Sequence, residues 1–122
     1  MPRFVLLEHS WNGVHWDLML EANGALRTWA IDAPIVPGVE LPARALAEHR
    51  LAYLEFEGEV SGGRGTVRRV DRGVYVPRVW EGDHVRVELA GSQLVGTADL
   101  WRPRAGESGP PLAWVFRLKN RD

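Results

Sequence analysis

The sequence predicts an all-β protein, a small closed or nearly closed antiparallel β-barrel of about eight strands with little helix. Three observations carry that expectation. Apolar and polar residues alternate with period two through most of the 122 residues, as half-buried strands do. Short turn signals such as Asn23-Gly24, Glu81-Gly82-Asp83 and Gly91-Ser92 separate the alternating runs, which is hairpin punctuation. So many short strands exceed what one open sheet holds without curling, and a chain this short removes its exposed edges by closing on itself.

The elements follow in order. Phe4–His9 alternates, Ser10-Trp11-Asn12-Gly13 reads as a turn, and Val14–Glu21 alternates again, giving a hairpin. Asn23-Gly24 suits a tight turn that needs positive φ, and Leu26–Ile31 completes a three-stranded meander. Asp32–Leu41, with Pro34, Pro37 and Gly38, reads as a crossing loop. Ala43–Arg50 suits either two helical turns after Pro42 or an extended segment. Leu51–Gly58 reads as a strand, followed by a cluster of Gly62, Gly63 and Gly65. Further strands are expected at Thr66–Val70, Gly73–Val76, His84–Ala90, Gln93–Leu100 and Leu112–Lys119, with Asp71-Arg72-Gly73 as a turn between the first two of these. Arg102–Pro111 reads as a polar loop. The sequence shows neither an internal repeat nor a domain boundary, so residues 1–122 are expected to form one domain.

Composition narrows the chemistry. With no cysteine, a disulfide, a thiolate nucleophile and a thiolate-bound metal are excluded, so any metal would use histidine, carboxylate and water. A formal charge of −1 does not fit a polycationic nucleic-acid binder. No membrane span or secretory signal is legible, so a cytoplasmic protein with no membrane partner is expected. Nearly all basic side chains are arginine, with Lys119 the single lysine. Arg64, Arg68, Arg69, Arg72, Arg78 and Arg86 form a locally positive stretch that suits either phosphate contacts or a solvated strand face.

His15 and Asp17 are two apart in a strand, so their side chains leave the same face, while Trp16, Leu18 and Leu20 occupy the other. His9 ends the preceding strand, and the turn at 10–13 folds it back beside them. Two nitrogen donors and one oxygen donor would then face a common centre, a donor set for a divalent ion with open positions. An ordinary polar strand face is the alternative. His49 and Tyr53, four apart, are neighbours whether extended or helical, and a histidine with a phenol can hold phosphate oxygens and move a proton. Otherwise they are a loop residue and a barrel residue. His84 alternates with Arg86 and Glu88 on an outer strand face and is given no role. Trp16, Trp29 and Trp114 are expected in the core. Trp11 and Trp80, in turns, suit either stacking on bases or sugars or burial beneath a loop.

These residues, as they stand, resemble the 3′-phosphoesterase domain of bacterial DNA ligase D: Phe4-Val-Leu-Leu-Glu-His9, His15-Trp-Asp17-Leu-Met-Leu-Glu21, Leu26-Arg-Thr-Trp29-Ala, His49-Arg-Leu-Ala-Tyr53-Leu-Glu-Phe-Glu-Gly58, Gly65-Thr-Val67 and Asp71-Arg-Gly73. The resemblance runs in order along nearly the whole chain. It implies a small β-barrel that binds manganese or a similar ion and trims 3′-phosphates and 3′-terminal ribonucleotides from primer ends in end-joining repair. It puts His9, His15 and Asp17 on the metal ligands, and His49 and Tyr53 on the catalytic or phosphate-contacting pair. The chain departs from the pattern at Leu7, where the family has glutamine, and at Met19, where it has arginine. It departs again at Ile31-Asp32-Ala33-Pro34, where a lysine is expected, and in the shortened glycine loop after Gly58. Arg44, Arg50 or Arg64 are candidates to make up the lost positive charge.

The expected function is a metal-dependent phosphoesterase acting on nucleic-acid 3′ ends or another phosphate ester, with reduced activity. Manganese is the expected ion, zinc an alternative. End-joining repair proteins are expected partners of a monomer. Two other readings fit parts of the pattern. A non-catalytic barrel could bind metal or nucleic acid, and a non-haem iron oxygenase could use a His-x-Asp facial triad.

Overall fold

The structure, a computed structural model, describes residues 1–103 and 113–121. Its strands are β1 (Arg3–Ser10), β2 (Val14–Ala22), β3 (Ala25–Ile31), β4 (Leu41–His49), β5 (Gly58–Glu59), β6 (Thr66–Trp80), β7 (His84–Gly91), β8 (Val95–Trp101) and β9 (Ala113–Asn120). Every pairing is antiparallel, in the order β1-β2-β3-β4-β9-β8-β7-β6, and β6 returns to pair with β1. Eight strands thus close a barrel, and β5 adds a short ladder beside the start of β6. Among the described residues there is no α-helix; one 3-10 turn spans Leu51–Leu54.

Alternation divides the apolar residues into two clusters. Phe4, Leu6, Leu18, Leu20, Trp29, Ile31, Tyr75, Val87, Leu89, Leu100 and Phe116 belong to one that draws on all eight barrel strands and fills the interior. Trp29 and Trp114 meet edge to face in it, their rings 5.6 Å apart, and Trp16 packs against its margin. The opposite parity of the same strands, Val5, Leu7, Met19 and Leu26, points outward and is covered by Leu54, Val60 and Val67. Residues 51–65 are therefore a flap laid over the outer face of β1, β2 and β3. That outer layer shapes the site.

Local chemistry explains the hairpins. Asn23 (φ 52°) and Gly24 (φ 80°) both take the left-handed conformation that a two-residue turn between twisted strands requires. Of the two options for residues 43–50, the extended one is adopted, because this stretch pairs with β3 on one side and β9 on the other.

Two expectations are corrected. Leu51–Gly58 is not a strand: it is the 3-10 turn followed by irregular chain, and within it only Gly58 enters a ladder. Leu51 and Leu54, three apart, both turn toward the outer cluster, which is the period of a 3-10 turn. Nor is Asp71-Arg72-Gly73 a turn, because β6 runs straight through it for 15 residues. Asp71 is buried and accepts the backbone N–H groups of Arg72, Ser92, Gln93 and Leu94 at 2.7–3.0 Å, so it builds the turn between β7 and β8. Gly73 lies where a Cβ would come 2.1 Å from the Ala90 carbonyl oxygen. Both residues serve a neighbouring strand. The strand bends instead at two bulges, at Val70 and Arg78, which the registers with β1 and β7 skip. Of the loop expected at Arg102–Pro111, residues 104–111 lie outside the described residues, as does Leu112 at the head of the last strand.

Candidate functional site

The β1–β2 register sets His9 directly opposite His15 and Leu7 opposite Asp17. His9, His15 and Asp17 share the outward parity of Val5, Leu7 and Met19. All three open into a cleft of about 240 Å³ between the barrel wall and the flap, lined also by Trp11, Arg44, His49, Tyr53 and Arg64. His9 Nδ1 and His15 Nε2 are 3.1 Å apart, His15 Nε2 and Asp17 Oδ1 3.1 Å, and His9 Nδ1 and Asp17 Oδ2 3.5 Å. Donors at about 2.0–2.2 Å from one ion stand roughly 3.0–3.5 Å apart across octahedral or tetrahedral angles, which is this triangle.

Two further observations fit a cation. Asp17 is 2% exposed, and its Oδ1 is buried with no hydrogen-bond partner despite the proximity of His15. Burial, opposed by the neighbouring His9, pushes its pKa up to about 6, so the carboxylate lacks the compensation that a bound cation supplies. The second concerns tautomer. His9 Nε2 lies 2.8 Å from the Arg64 carbonyl oxygen, and a carbonyl only accepts, so the ring carries its proton on Nε2 and turns the Nδ1 lone pair to the triangle. Metal-binding histidines are commonly fixed in this way. Burial, then the charges of His9 and Arg44, lowers the His15 pKa, which keeps Nε2 available as a donor. Among the described residues, this is the one group of three His, Cys, Asp or Glu side chains gathered closely enough to hold a metal.

His49 and Tyr53 reach the cleft from the end of β4 and from the 3-10 turn. Their rings meet edge to face at 5.4 Å, so the chain reversal after Arg50 joins them, not a shared strand face. His49 Nδ1 donates to the Ala47 carbonyl at 2.9 Å, leaving Nε2 with its lone pair. Burial lowers the pKa of this ring, outweighing that hydrogen bond. Trp11 remains 44% exposed at the cleft mouth and stacks on His9 at 6.2 Å. Trp80 lies elsewhere, stacked on Tyr75 and beneath the Arg27 guanidinium.

Of the three candidate arginines, Arg44 and Arg64 line the cleft, whereas Arg50 lines a separate hollow beside Phe56 and Glu59. The basic stretch does not form one surface. Arg68 pairs with Glu8, Arg72 with Glu55, Arg78 with Glu88 and Arg86 with Asp99. His84, 3.0 Å from Asp99, lies in a larger and more open cleft with Arg86 and Trp101, where one carboxylate oxygen already takes both His84 and Arg86. What sequence reasoning missed is the Arg64 carbonyl that orients His9, since a backbone contact across 55 residues leaves no local signal.

A family profile described as the DNA Ligase D 3′-phosphoesterase domain matches residues 7–102. The chain belongs to the DNA ligase D 3′-phosphoesterase domain family. It is 32% identical to the multifunctional non-homologous end joining protein LigD of Pseudomonas aeruginosa, over 98% of this chain and 15% of that protein. It is 30% identical to the multifunctional non-homologous end joining DNA repair protein LigD of Mycobacterium tuberculosis, over 97% of this chain and 16% of that protein. The chain thus spans about one-sixth of the length of these relatives. No helix among the described residues is long and apolar enough to cross a membrane.

Proposed function

We propose that this chain is a metal-dependent phosphoesterase acting on 3′-phosphate or 3′-ribonucleotide ends in DNA end joining, slower than the family pattern implies. The observation that carries the reading is the convergence, in one cleft, of the buried His9-His15-Asp17 triangle with His49 and Tyr53. His9 Nδ1, His15 Nε2 and a carboxylate oxygen of Asp17 are the atoms that would hold a divalent ion, manganese by family resemblance. Such an ion polarises a phosphoryl oxygen and makes a neighbouring water more acidic.

The protein's own groups do the rest. His49, neutral because burial lowers its pKa, meets an incoming phosphate with a free Nε2. The phosphate's negative charge then raises the pKa of the ring, so His49 can take a proton from a phosphate or water oxygen and return it to the leaving 3′-oxygen. Tyr53, held against His49 and Phe56, offers a hydroxyl to orient a non-bridging oxygen. Trp11 presents an exposed ring on which a terminal base or sugar can stack. The reduced rate follows from Leu7 and Met19. Both are buried in the outer apolar cluster, where the family pattern has two polar groups that would face phosphate. Removing one such donor from a site costs on the order of 3–4 kcal/mol of barrier. Family membership, with Arg44 and Arg64 lining the cleft, favours phosphoryl chemistry over the oxygenase reading.

The test is release of phosphate from a primer ending in 3′-phosphate, with manganese and with a chelator. Wild type should turn over slowly with manganese alone, and His49→Ala should lose turnover while still binding the ion. Full activity in His49→Ala would show that another group moves the proton. Turnover that persists in chelator would remove the metal from the reaction.

A further inference from the structure

The two arginines of the cleft differ in what already occupies them. Arg64 folds back on its own loop: Nε donates to the Ser61 carbonyl at 2.8 Å, and Nη2 reaches Ser61 Oγ at 3.4 Å. Its carbonyl also holds His9, so a swing of this residue would disturb a proposed metal ligand. Arg44 has no such duty. The registers place Asp17 opposite Ala30 and Ala30 opposite Arg44, so the three lie in one row across the outer face of β2, β3 and β4. The residue between them is an alanine. Two strand spacings, about 10 Å, separate the backbones of Asp17 and Arg44, and the Arg44 side chain lines the same cleft as the triangle.

Among the described residues Arg44 forms one ion-pair contact, Nη2 to Asp32 Oδ1 at 3.4 Å, with the two side chains 53% and 44% exposed. Pairs this open and long are weakly held. The Asp32 backbone is anchored beside β4, because its N–H donates to the Pro42 carbonyl at 3.1 Å, two residues before Arg44.

We propose that Arg44 is the cation that grips the substrate's phosphoryl group in this cleft, and that Asp32 is its resting partner, displaced by a terminal phosphate monoester. The proposal rests on the phosphoesterase reading above and narrows it to a substrate class. A guanidinium presents a planar fork of N–H donors, which a phosphate fills with two oxygens where Asp32 supplies one. Competition with a carboxylate also selects among phosphates. A terminal monoester, with up to two negative charges, displaces Asp32 more readily than an internal diester with one.

The experiment is fluorescence anisotropy with a labelled primer ending in 3′-phosphate and the same primer ending in 3′-hydroxyl, without added metal, for wild type, Arg44→Gln and Asp32→Asn. Circular dichroism confirms folding of each. Wild type should prefer the 3′-phosphate end, Arg44→Gln should lose that preference by tenfold or more, and Asp32→Asn should increase it severalfold. A merely structural ion pair would weaken binding in both variants alike. The proposal is overturned if wild type shows no preference, if Arg44→Gln keeps it, or if Asp32→Asn reduces it. Manganese-dependent hydrolysis is scored separately. Hydrolysis with an unchanged Arg44→Gln preference removes Arg44 and leaves the phosphoesterase reading, whereas a preference lost in Arg44→Gln without any wild-type hydrolysis does the reverse.

Discussion

Gly65→Ala tests how the flap supports the site. Gly65 has φ +76°, and a Cβ built there meets the Ser10 carbonyl oxygen at 1.9 Å and Trp11 Cβ at 2.7 Å. Two costs follow. The left-handed conformation penalises an L side chain by about 1–2 kcal/mol, and the clash forces the loop to retreat by roughly 1.5 Å to reach ordinary contact distance. That retreat carries the preceding Arg64 carbonyl with it, and the 2.8 Å bond from His9 Nε2 stretches beyond hydrogen-bond length. His9 then loses the partner that fixes its tautomer and ring orientation, a change that typically costs 10–100-fold in metal affinity. Gly63→Ala is the comparison, because Gly63 has φ +69° but nothing within 4 Å of its built Cβ. Thermal melts and calorimetric titration with manganese should show both variants destabilised, with the loss of metal affinity confined to Gly65→Ala. Wild-type manganese affinity in Gly65→Ala would refute the claim that the flap orients His9.

Three other outcomes are expected. Asp17→Ala should abolish the manganese isotherm; an unchanged isotherm would place the ion elsewhere. Met19→Arg should raise the hydrolysis rate by adding a donor at the cleft wall, while overpacking a position that is 1% exposed lowers stability by about 1–3 kcal/mol; a slower variant would contradict this. The third is a pH dependence. The folded Asp17 pKa lies above its unfolded value, 3.8 raised to about 6, so between those values the folded state binds more protons than the unfolded one. Its contribution therefore makes the metal-free protein less stable as pH rises through that window. Asp17→Asn should remove this part of the pH dependence, and manganese should raise Tm more at pH 7.5 than at pH 5. An equal rise at both values would contradict the assignment.

What the sequence made legible was local. The β1–β2 hairpin and its metal-type triangle rest on two-residue alternation and a four-residue turn, so His9, His15 and Asp17 could be brought together without knowledge of the rest of the chain. Asn23-Gly24 fixed the next turn for the same reason. Asp71-Arg72-Gly73 misled because its turn-like chemistry is spent on the neighbouring β7–β8 turn and on a close backbone crossing at Ala90. Leu51–Gly58 misled because a short apolar run fits a strand or a 3-10 turn, and the outer apolar cluster decided between them. Arg44 could not be placed beforehand: its row with Asp17 depends on how β4 registers against β3 after a crossing loop. The departures at Leu7 and Met19 were plain in the sequence, but only the fold shows that both positions now seal an apolar layer under the flap.

A crystal soaked with manganese and inorganic phosphate tests the central claim most directly, since anomalous scattering locates the ion and difference density the anion. The account predicts one manganese on His9 Nδ1, His15 Nε2 and Asp17, with the phosphate between that ion and His49 and within hydrogen-bond reach of Arg44. Manganese absent from the triangle at saturating concentration, or phosphate bound only in the His84–Arg86 cleft, would contradict it.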